Sequence, residues 1–267
     1  MKLNTLVLTT FIIAAGFSGL GAQSPRAMSL NGSTGLFAIP SGRIGWEQNS
    51  NLGLDLGYHT VISDGVATHI PKVNLSLFQW VELSAAFDIQ PEGYMSPSNG
   101  TDFIGGLKFR LPLPTSAIAL GGNFQALNFS NSDGYNYTAG QIYLAITYPG
   151  SLFNMPAETT VVLGKTFRQE YSDSNIDFGM GFDLMLLPNI FGGFIRWVTD
   201  FANFSYSAEP YSVNAWHRGV LNTGIRVDFS AIPVLNRYKF MIDLIMTDAF
   251  DDSRAFSVGA MFGIPLR

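Results

Sequence analysis

Hydrophobic and polar residues alternate along most of this chain, and the alternation is clearest between His69 and Ile89. Large apolar side chains occupy every second position from Val73 to Leu77, and the alternation resumes at Val81 after a break at 78–80. Successive side chains of a β-strand point to opposite faces. The stretch therefore predicts two amphipathic strands joined by a tight turn, with one face suited to lipid and the other to water.

Similar alternating segments recur between residues 51 and 267 and predict about twelve strands, with a range of about ten to fourteen. Links after odd-numbered strands are polar and acidic, whereas links after even-numbered strands, such as 78–80 and 149–158, are compact, apolar or proline-containing. Successive links of a closed barrel emerge on alternate sides of a membrane. The pattern predicts an all-β fold: a transmembrane antiparallel up-and-down β-barrel with both termini in the periplasm. A soluble β-sandwich with a large core is the alternative.

The composition favours the membrane barrel. Hydrophobic residues make up 47% of the chain and charged residues only 13%, whereas soluble proteins contain about 25% charged residues. Beyond the N-terminus, no apolar run reaches the roughly 18 residues that a transmembrane helix needs. The net charge is −5 and the basic residues do not cluster, so no nucleic-acid partner is predicted.

The N-terminus predicts a cleaved secretory signal peptide over residues 1–22. Lys2 precedes an apolar region at 6–15, and small residues follow at 19–22. The chain has no cysteine, which excludes a lipoprotein anchor and disulfides. A signal peptide ahead of a barrel over 51–267 predicts the outer membrane of a diderm bacterium.

Residues 23–50 lack the alternation because glycines and prolines interrupt any regular element. The segment nevertheless keeps large apolar residues, in which disordered segments are poor. These residues are Leu30, Leu36, Phe37, Ile39 and Trp46. We therefore hypothesise that it folds into the periplasmic mouth and narrows the lumen, with Arg43 and Glu47 pairing with wall charges. A loosely packed tail or a partner-docking strand is the alternative.

Within this segment, the sequence GSTGLFAIPSGRIG occupies residues 32–45. It resembles the start of YjbH-type outer-membrane proteins, which carry a Thr-Gly-Leu-x-x-x-Pro stretch, then a small residue and Arg, ahead of β-hairpins. The matching residues are Thr34, Gly35, Leu36, Pro40, Ser41 and Arg43. The resemblance implies an outer-membrane barrel and a link to the export of surface polysaccharide.

The polar faces of the predicted strands place charged residues of both signs inside the barrel. The candidate pore-lining residues are Asp55, Lys72, Glu82, Lys108, Arg110, Asp177, Asp183, Arg196, Arg226, Asp228 and Asp243. One interpretation is a network of salt bridges that holds the shape of the barrel. The other is a pore with separate basic and acidic walls, whose transverse field orients solutes.

These features predict a narrow porin-like channel for small hydrophilic solutes, because about twelve strands lie between barrels filled by side chains and wide aqueous porins. The alternatives are a structural or surface-exposed barrel without a useful pore, and an outer-membrane component of polysaccharide export. The expected partners are outer-membrane lipid and small hydrophilic solutes, together with periplasmic or polysaccharide partners in the export alternative.

Enzymatic activity is not predicted. His59, His69 and His217 fall at predicted strand ends, and His59 lies near Asp55 and Ser63, as a hydrolase would require. Polar residues at a loop rim explain the same positions, and the chain has no recognised catalytic motif. No cofactor or metal site is predicted.

The phase of the strands predicts which residues face lipid. These are Leu75, Leu83, Phe178, Phe182, Leu244 and Phe262. Lys165 shares the parity of the apolar residues Val161 and Leu163. Either its side chain reaches the headgroups from the lipid face, or a bulge turns it inward; the first is preferred.

Overall fold

The computed structural model describes residues 26–267, apart from 48–50, 91–99, 112, 114–115, 128–136, 170–174, 209, 211–212, 214, 216–217, 233, 236, 252–253 and 267. The strands are β1 (Leu52–Ser63), β2 (Val66–Leu77), β3 (Val81–Ile89), β4 (Thr101–Leu111), β5 (Ala117–Leu127), β6 (Tyr137–Leu152), β7 (Met155–Arg168), β8 (Asp177–Met185), β9 (Ile195–Ala202), β10 (Val220–Asp228), β11 (Lys239–Thr247) and β12 (Ala255–Leu266). The predicted signal peptide, 1–22, lies outside the described residues.

The twelve strands of the described chain form one closed antiparallel barrel in which each strand pairs with its neighbours in sequence. Closure is made by β1 and β12, whose register runs from Leu52 opposite Leu266 to Ile62 opposite Phe256. The predicted fold and strand number are confirmed. Closure leaves no sheet edge unpaired, which a structure in the hydrocarbon core of a membrane requires.

The link between β6 and β7 differs from its prediction over 149–158. The two strands continue pairing down to Leu152 and Met155, and only Phe153 and Asn154 form the turn. The prolines at 149 and 156 suggested a loop. Both lie beyond the last pairs that β6 makes with β5 and β7 makes with β8. Proline is tolerated there because no second neighbouring strand needs its missing N–H.

Within the described residues, helical structure occurs in two of the links. Helix α1 (Pro188–Phe191) lies between β8 and β9, and a 3-10 turn (Phe229–Ala231) lies between β10 and β11. No helix in the described part of the chain is long and apolar enough to cross a membrane.

The outer surface of the barrel is apolar, and the predicted strand phase is confirmed. Leu83, Leu244 and Phe262 are 43%, 51% and 46% exposed. The other residues predicted to face lipid, Leu75 and the pair Phe178 and Phe182, lie on the same outer face.

Lys165 also lies on the outer face, because the register of β6 and β7 runs without a bulge from Ala139–Arg168 to Leu152–Met155. Its Nζ donates to the carbonyl oxygen of Asn175 at 2.7 Å, beside the start of β8. The side chain therefore extends along the outer face toward the rim, as the preferred interpretation predicted.

The lipid-facing surface gives a first prediction. We expect Leu244→Arg to lower the free energy of unfolding by about 2–4 kcal/mol, the cost of a basic residue near the bilayer midplane. Val234→Arg is the matched control, because Val234 is 86% exposed in the β10–β11 link. Urea unfolding in lipid vesicles measures both. Equal effects of the two substitutions would show that Leu244 does not face the hydrocarbon.

Candidate functional site

The barrel interior holds all of the candidate pore-lining residues. Arg110 is partly exposed and the others are buried. Opposite charges pair between strands: Glu82 with Lys108 at 2.9 Å, and Asp243 with Arg226 at 2.7 Å. Asp183 lies 2.5 Å from Arg196 and 3.5 Å from Arg226. Because each of these contacts joins an acid to a base, the charges form a paired network rather than separate basic and acidic walls.

Residues 26–47, which we call the N-terminal plug, lie inside the barrel. Its backbone pairs with no barrel strand and makes only two isolated bridges within the plug, Met28–Thr34 and Gly35–Pro40. Its large apolar side chains Leu30, Phe37, Ile39 and Ile44 are at most 1% exposed. The plug is therefore part of the interior of the barrel but not part of its sheet.

Glu82 of β3 is the main polar contact between the wall and the plug. Its carboxylate accepts hydrogen bonds from the Thr34 amide at 2.8 Å, the Thr34 hydroxyl at 2.5 Å, the Ser33 hydroxyl at 3.0 Å and the Gly45 amide at 3.1 Å. Lys108 completes the cluster by donating to the Thr34 carbonyl at 2.9 Å. One ion pair of the wall thus binds the plug at two places, at 33–34 and at Gly45.

Asp200 of β9 holds the plug from the opposite side of the barrel. One carboxylate oxygen accepts from the amides of Phe37 and Ala38, at 2.7 Å each. The other oxygen accepts from Asn222 of β10 at 2.7 Å. Lys72 of β2, on the same side of the barrel as Glu82, donates to the carbonyl of Ser29 at 2.7 Å. Wall charges therefore satisfy backbone groups that the plug cannot pair within itself.

Arginines converge where the plug leaves the barrel. Arg26 and Arg43 of the plug lie 3.0 and 3.3 Å from Glu47, and Arg110 of the wall lies 3.5 Å from it. Arg43 also pairs with Glu158 of β7 at 2.7 Å. Both residues that were expected to pair with the wall, Arg43 and Glu47, do contact it.

Trp46 is fixed next to the start of β1. Its indole N–H donates to Asp55 at 2.8 Å, and Asp55 pairs with Lys239 of β11 at 2.9 Å. The Lys239 ammonium lies 4.3 Å from the centre of the Trp46 ring and donates to the Gly45 carbonyl. This cluster closes the end of the lumen at which β1 starts and β12 ends.

The opposite end is closed by the described residues between 203 and 219, namely 203–208, 210, 213, 215 and 218–219, which we call the lumen loop. The Tyr206 hydroxyl donates to Asp88 at 2.9 Å, and the Ala208 amide donates to Gln125 at 2.6 Å. Burial raises the pKa of the Tyr206 phenol well above its usual range, so the hydroxyl stays a donor. Val213 and Ala215 pack in one apolar cluster with plug residues that include Leu30 and Phe37. The plug and the lumen loop, which we call the two inserts, meet inside the barrel.

A polar cavity of about 370 Å³ remains beside the lumen loop. We call it the vestibule. Its wall side includes Gln125, Gln141, Thr166 and Asp177, and its loop side includes Phe204 and Arg218. The Asp177 carboxylate accepts from Gln141 at 2.7 Å and from Thr166 at 2.6 Å. The vestibule is large enough for a small hydrophilic solute, but the plug closes the barrel beneath it.

Two of the three histidines, His59 and His69, do not lie at strand ends as predicted. His59 lies inside β1, not at its end, and its Nε2 is 3.3 Å from Asp243. Among the described residues its Nδ1 has no hydrogen-bond partner, so it is not hydrogen-bonded to Ser63. His69 lies on the outer face, where its Nδ1 is 2.5 Å from the Tyr58 hydroxyl. His217 lies outside the described residues. The arrangement that a hydrolase would need is not formed at His59.

Sequence reasoning missed several residues that hold the plug. Lys239 and Glu158 lay outside the predicted strands, although both share the parity of inward residues: Lys239 with Asp243, and Glu158 with Val162. Extending the alternation by a few positions would have found them. The inward path of the lumen loop has no such signal, because its sequence resembles that of an ordinary surface loop.

The comparisons with known proteins concern the fold. Neither a protein-family model nor a curated protein matches the sequence. Among solved structures, the chain is similar to the KdgM porin, with a TM-score of 0.50 and 7% identity over 78% of this chain and 98% of that one. It is also similar to the NanC porin, with a TM-score of 0.50 and 10% identity over 80% of this chain and 100% of that one. The closed barrel, its apolar outer surface and these likenesses define an outer-membrane β-barrel.

Proposed function

We propose that this protein is an outer-membrane channel for small hydrophilic solutes that the N-terminal plug closes at rest. The observation that carries the proposal is the way in which the lumen is filled. A peptide held by side-chain contacts fills it, while the sheet around that peptide is complete by itself. The vestibule supplies a polar entrance on the side of the lumen loop.

The contacts of the plug make the closed state stable. Burying one large apolar side chain contributes about 1.5–3 kcal/mol, and the plug buries Leu30, Phe37, Ile39 and Ile44. Spontaneous loss of the whole plug is therefore rare, and conduction requires either a trigger or a movement of part of the plug. The paired charges on the wall stabilise the closed state instead of orienting solutes across an open pore.

A barrel without a useful pore is the competing function, and the paired charge network of the wall favours it. The two functions differ in the consequence of loosening the plug. A channel conducts more when a plug contact is removed, whereas a structural barrel still does not conduct.

The role in polysaccharide export stays a prediction that rests on the resemblance to YjbH-type proteins. Thr34 and Arg43, two of the matching residues, lie in the plug and bind Glu82 and Glu158 of the wall. A polysaccharide chain could cross this barrel only after the plug and the lumen loop had both moved aside.

Removing one wall contact tests the proposed channel. We expect Asp200→Ala to raise the open probability in planar bilayers several-fold, because the amides of Phe37 and Ala38 lose their common acceptor. Asp228→Ala is the matched control: this buried carboxylate accepts from Ser230 at 2.9 Å in the adjoining turn. The proposal fails if Asp200→Ala and a variant lacking residues 27–45 both fold and neither of them conducts in planar bilayers.

A further inference from the structure

Two pockets of the lumen lie along the same wall, which β6, β7 and β8 form. The vestibule includes Gln141, Thr166 and Asp177 of these strands at the end where the lumen loop enters. A second pocket, of about 20 Å³, is lined by Thr147, Thr160, Glu158 and Asp183 of the same strands toward the other end of the barrel, and we call it the lower pocket. It has room for about one water molecule. Each pocket is lined by hydroxyl, carboxyl and guanidinium groups.

An apolar cluster separates the two pockets. Leu36 and Ile39 of the plug and Phe204 of the lumen loop pack there against Tyr143 and Val162 of the wall. Leu36 lines the lower pocket and Phe204 lines the vestibule, so the cluster borders both. Water and polar solutes are excluded from such a constriction, and hydrophobic constrictions gate channels in this way.

The inner face of β8 carries only glycines where the apolar cluster packs against it. Asp177 at the vestibule and Asp183 at the lower pocket flank Gly179 and Gly181 on this face. A Cβ on Gly179 would come within 2.9 Å of Ile39 and 3.2 Å of Phe204, and one on Gly181 within 2.6 Å of Leu36. Side chains of the inserts thus occupy the space that wall side chains would otherwise fill. Withdrawing them would open a gap between two polar ends.

From this placement we infer that the permeation path runs along the β6–β8 wall and that Leu36, Ile39 and Phe204 form its gate. The inference rests on the proposed channel function and locates the path within it. The plug as a whole does not have to leave. Asp200 binds the amides of Phe37 and Ala38, so the backbone between Leu36 and Ile39 stays fixed while their side chains move.

Truncating the gate tests the path. We expect Leu36→Ala and Phe204→Ala each to raise open-channel current or open probability several-fold, and the double variant to raise it further. Leu30→Ala is the matched control. Leu30 belongs to the same plug and is also fully buried, but it packs with Ile70, Ala86 and Ile104 on the opposite wall.

The outcomes separate the path from the proposed function. A larger increase in current in Leu36→Ala than in Leu30→Ala supports the path along β6–β8. Equal increases in both variants would overturn it, because they would show that any loosening of the plug suffices. No increase in Leu36→Ala, together with conduction by the variant lacking residues 27–45, would also overturn the path while leaving the channel intact. If no folded variant conducts, the proposed channel function itself is wrong.

A single introduced cysteine maps the path independently, because the chain has none. In the Leu36→Ala background, we expect a charged thiol reagent to block the current when the cysteine replaces Thr160, which lines the lower pocket. Ser257→Cys is the control, since Ser257 is a buried hydroxyl residue on the inner face of β12. Block at Ser257 without block at Thr160 would place the path on the other side of the barrel.

Discussion

Deleting residues 27–45 is expected to raise the single-channel conductance several-fold while leaving the β-sheet content unchanged. The strand pairs are retained, because the plug contributes no strand to the barrel. The space that the plug leaves is lined by Glu82, Asp200 and Lys72, which water can hydrate once the lumen is open. The barrel loses the buried apolar contacts of the plug, so its stability should fall even though its fold persists.

Three measurements check this outcome. Planar-bilayer recordings give the conductance, circular dichroism gives the strand content, and electrophoresis with and without heating shows whether the barrel is closed. The full-length protein purified in parallel is the control. A barrel that is folded by the last two criteria but conducts no better than the full-length protein would disprove the role of the plug.

The strand arrangement could be predicted because alternation and link type carry independent information. Alternation decides which residues face lipid, as at Leu83 and Phe262, and a shift by one residue would turn both inward. The two classes of link decide which strand ends meet on the same side. Strand ends were predicted less well: a proline such as Pro149 reads as a break, although at that position the strand continues with only one neighbour.

The lumen could be predicted only in part. Apolar residues in a segment rich in glycine and proline indicated that residues 23–50 do not form an ordinary tail. The contacts of the segment were not predictable, because they join residues far apart in sequence, such as Phe37 with Asp200. The lumen loop gave no signal, since a short stretch such as 203–208, in which polar and apolar residues are mixed, does not reveal whether it turns outward or inward. Its contacts with Asp88 and Gln125 follow from the closure of the barrel.

The wall charges have a double role in this barrel. Glu82, Lys108 and Lys72 bind plug groups directly, and they would be exposed to solutes if the plug left. In the proposed channel, the strength of the paired network therefore sets how firmly the lumen is closed. A substitution in this network should change stability and conduction together, whereas a substitution on the lipid face should change stability alone.

Glu82 provides the largest single-residue effect of this kind. Glu82→Ala removes the acceptor for Ser33, Thr34 and Gly45 and leaves the buried Lys108 without its carboxylate. Breaking a buried ion pair from one side costs about 3–5 kcal/mol. We expect a loss of that order in the free energy of unfolding, measured with urea in lipid vesicles, and a higher open probability in planar bilayers.

Two further variants show whether this loss has the expected cause. Glu82→Ala combined with Lys108→Met should recover much of the stability, because no unpaired charge is left buried. The open probability should stay high in the double variant, since Thr34 still lacks its acceptor at position 82. If Glu82→Ala alone leaves both stability and conduction unchanged, the ion pair does not hold the plug. If the double variant also closes the channel again, the unpaired Lys108 opened it, and the lost hydrogen bonds to the plug did not.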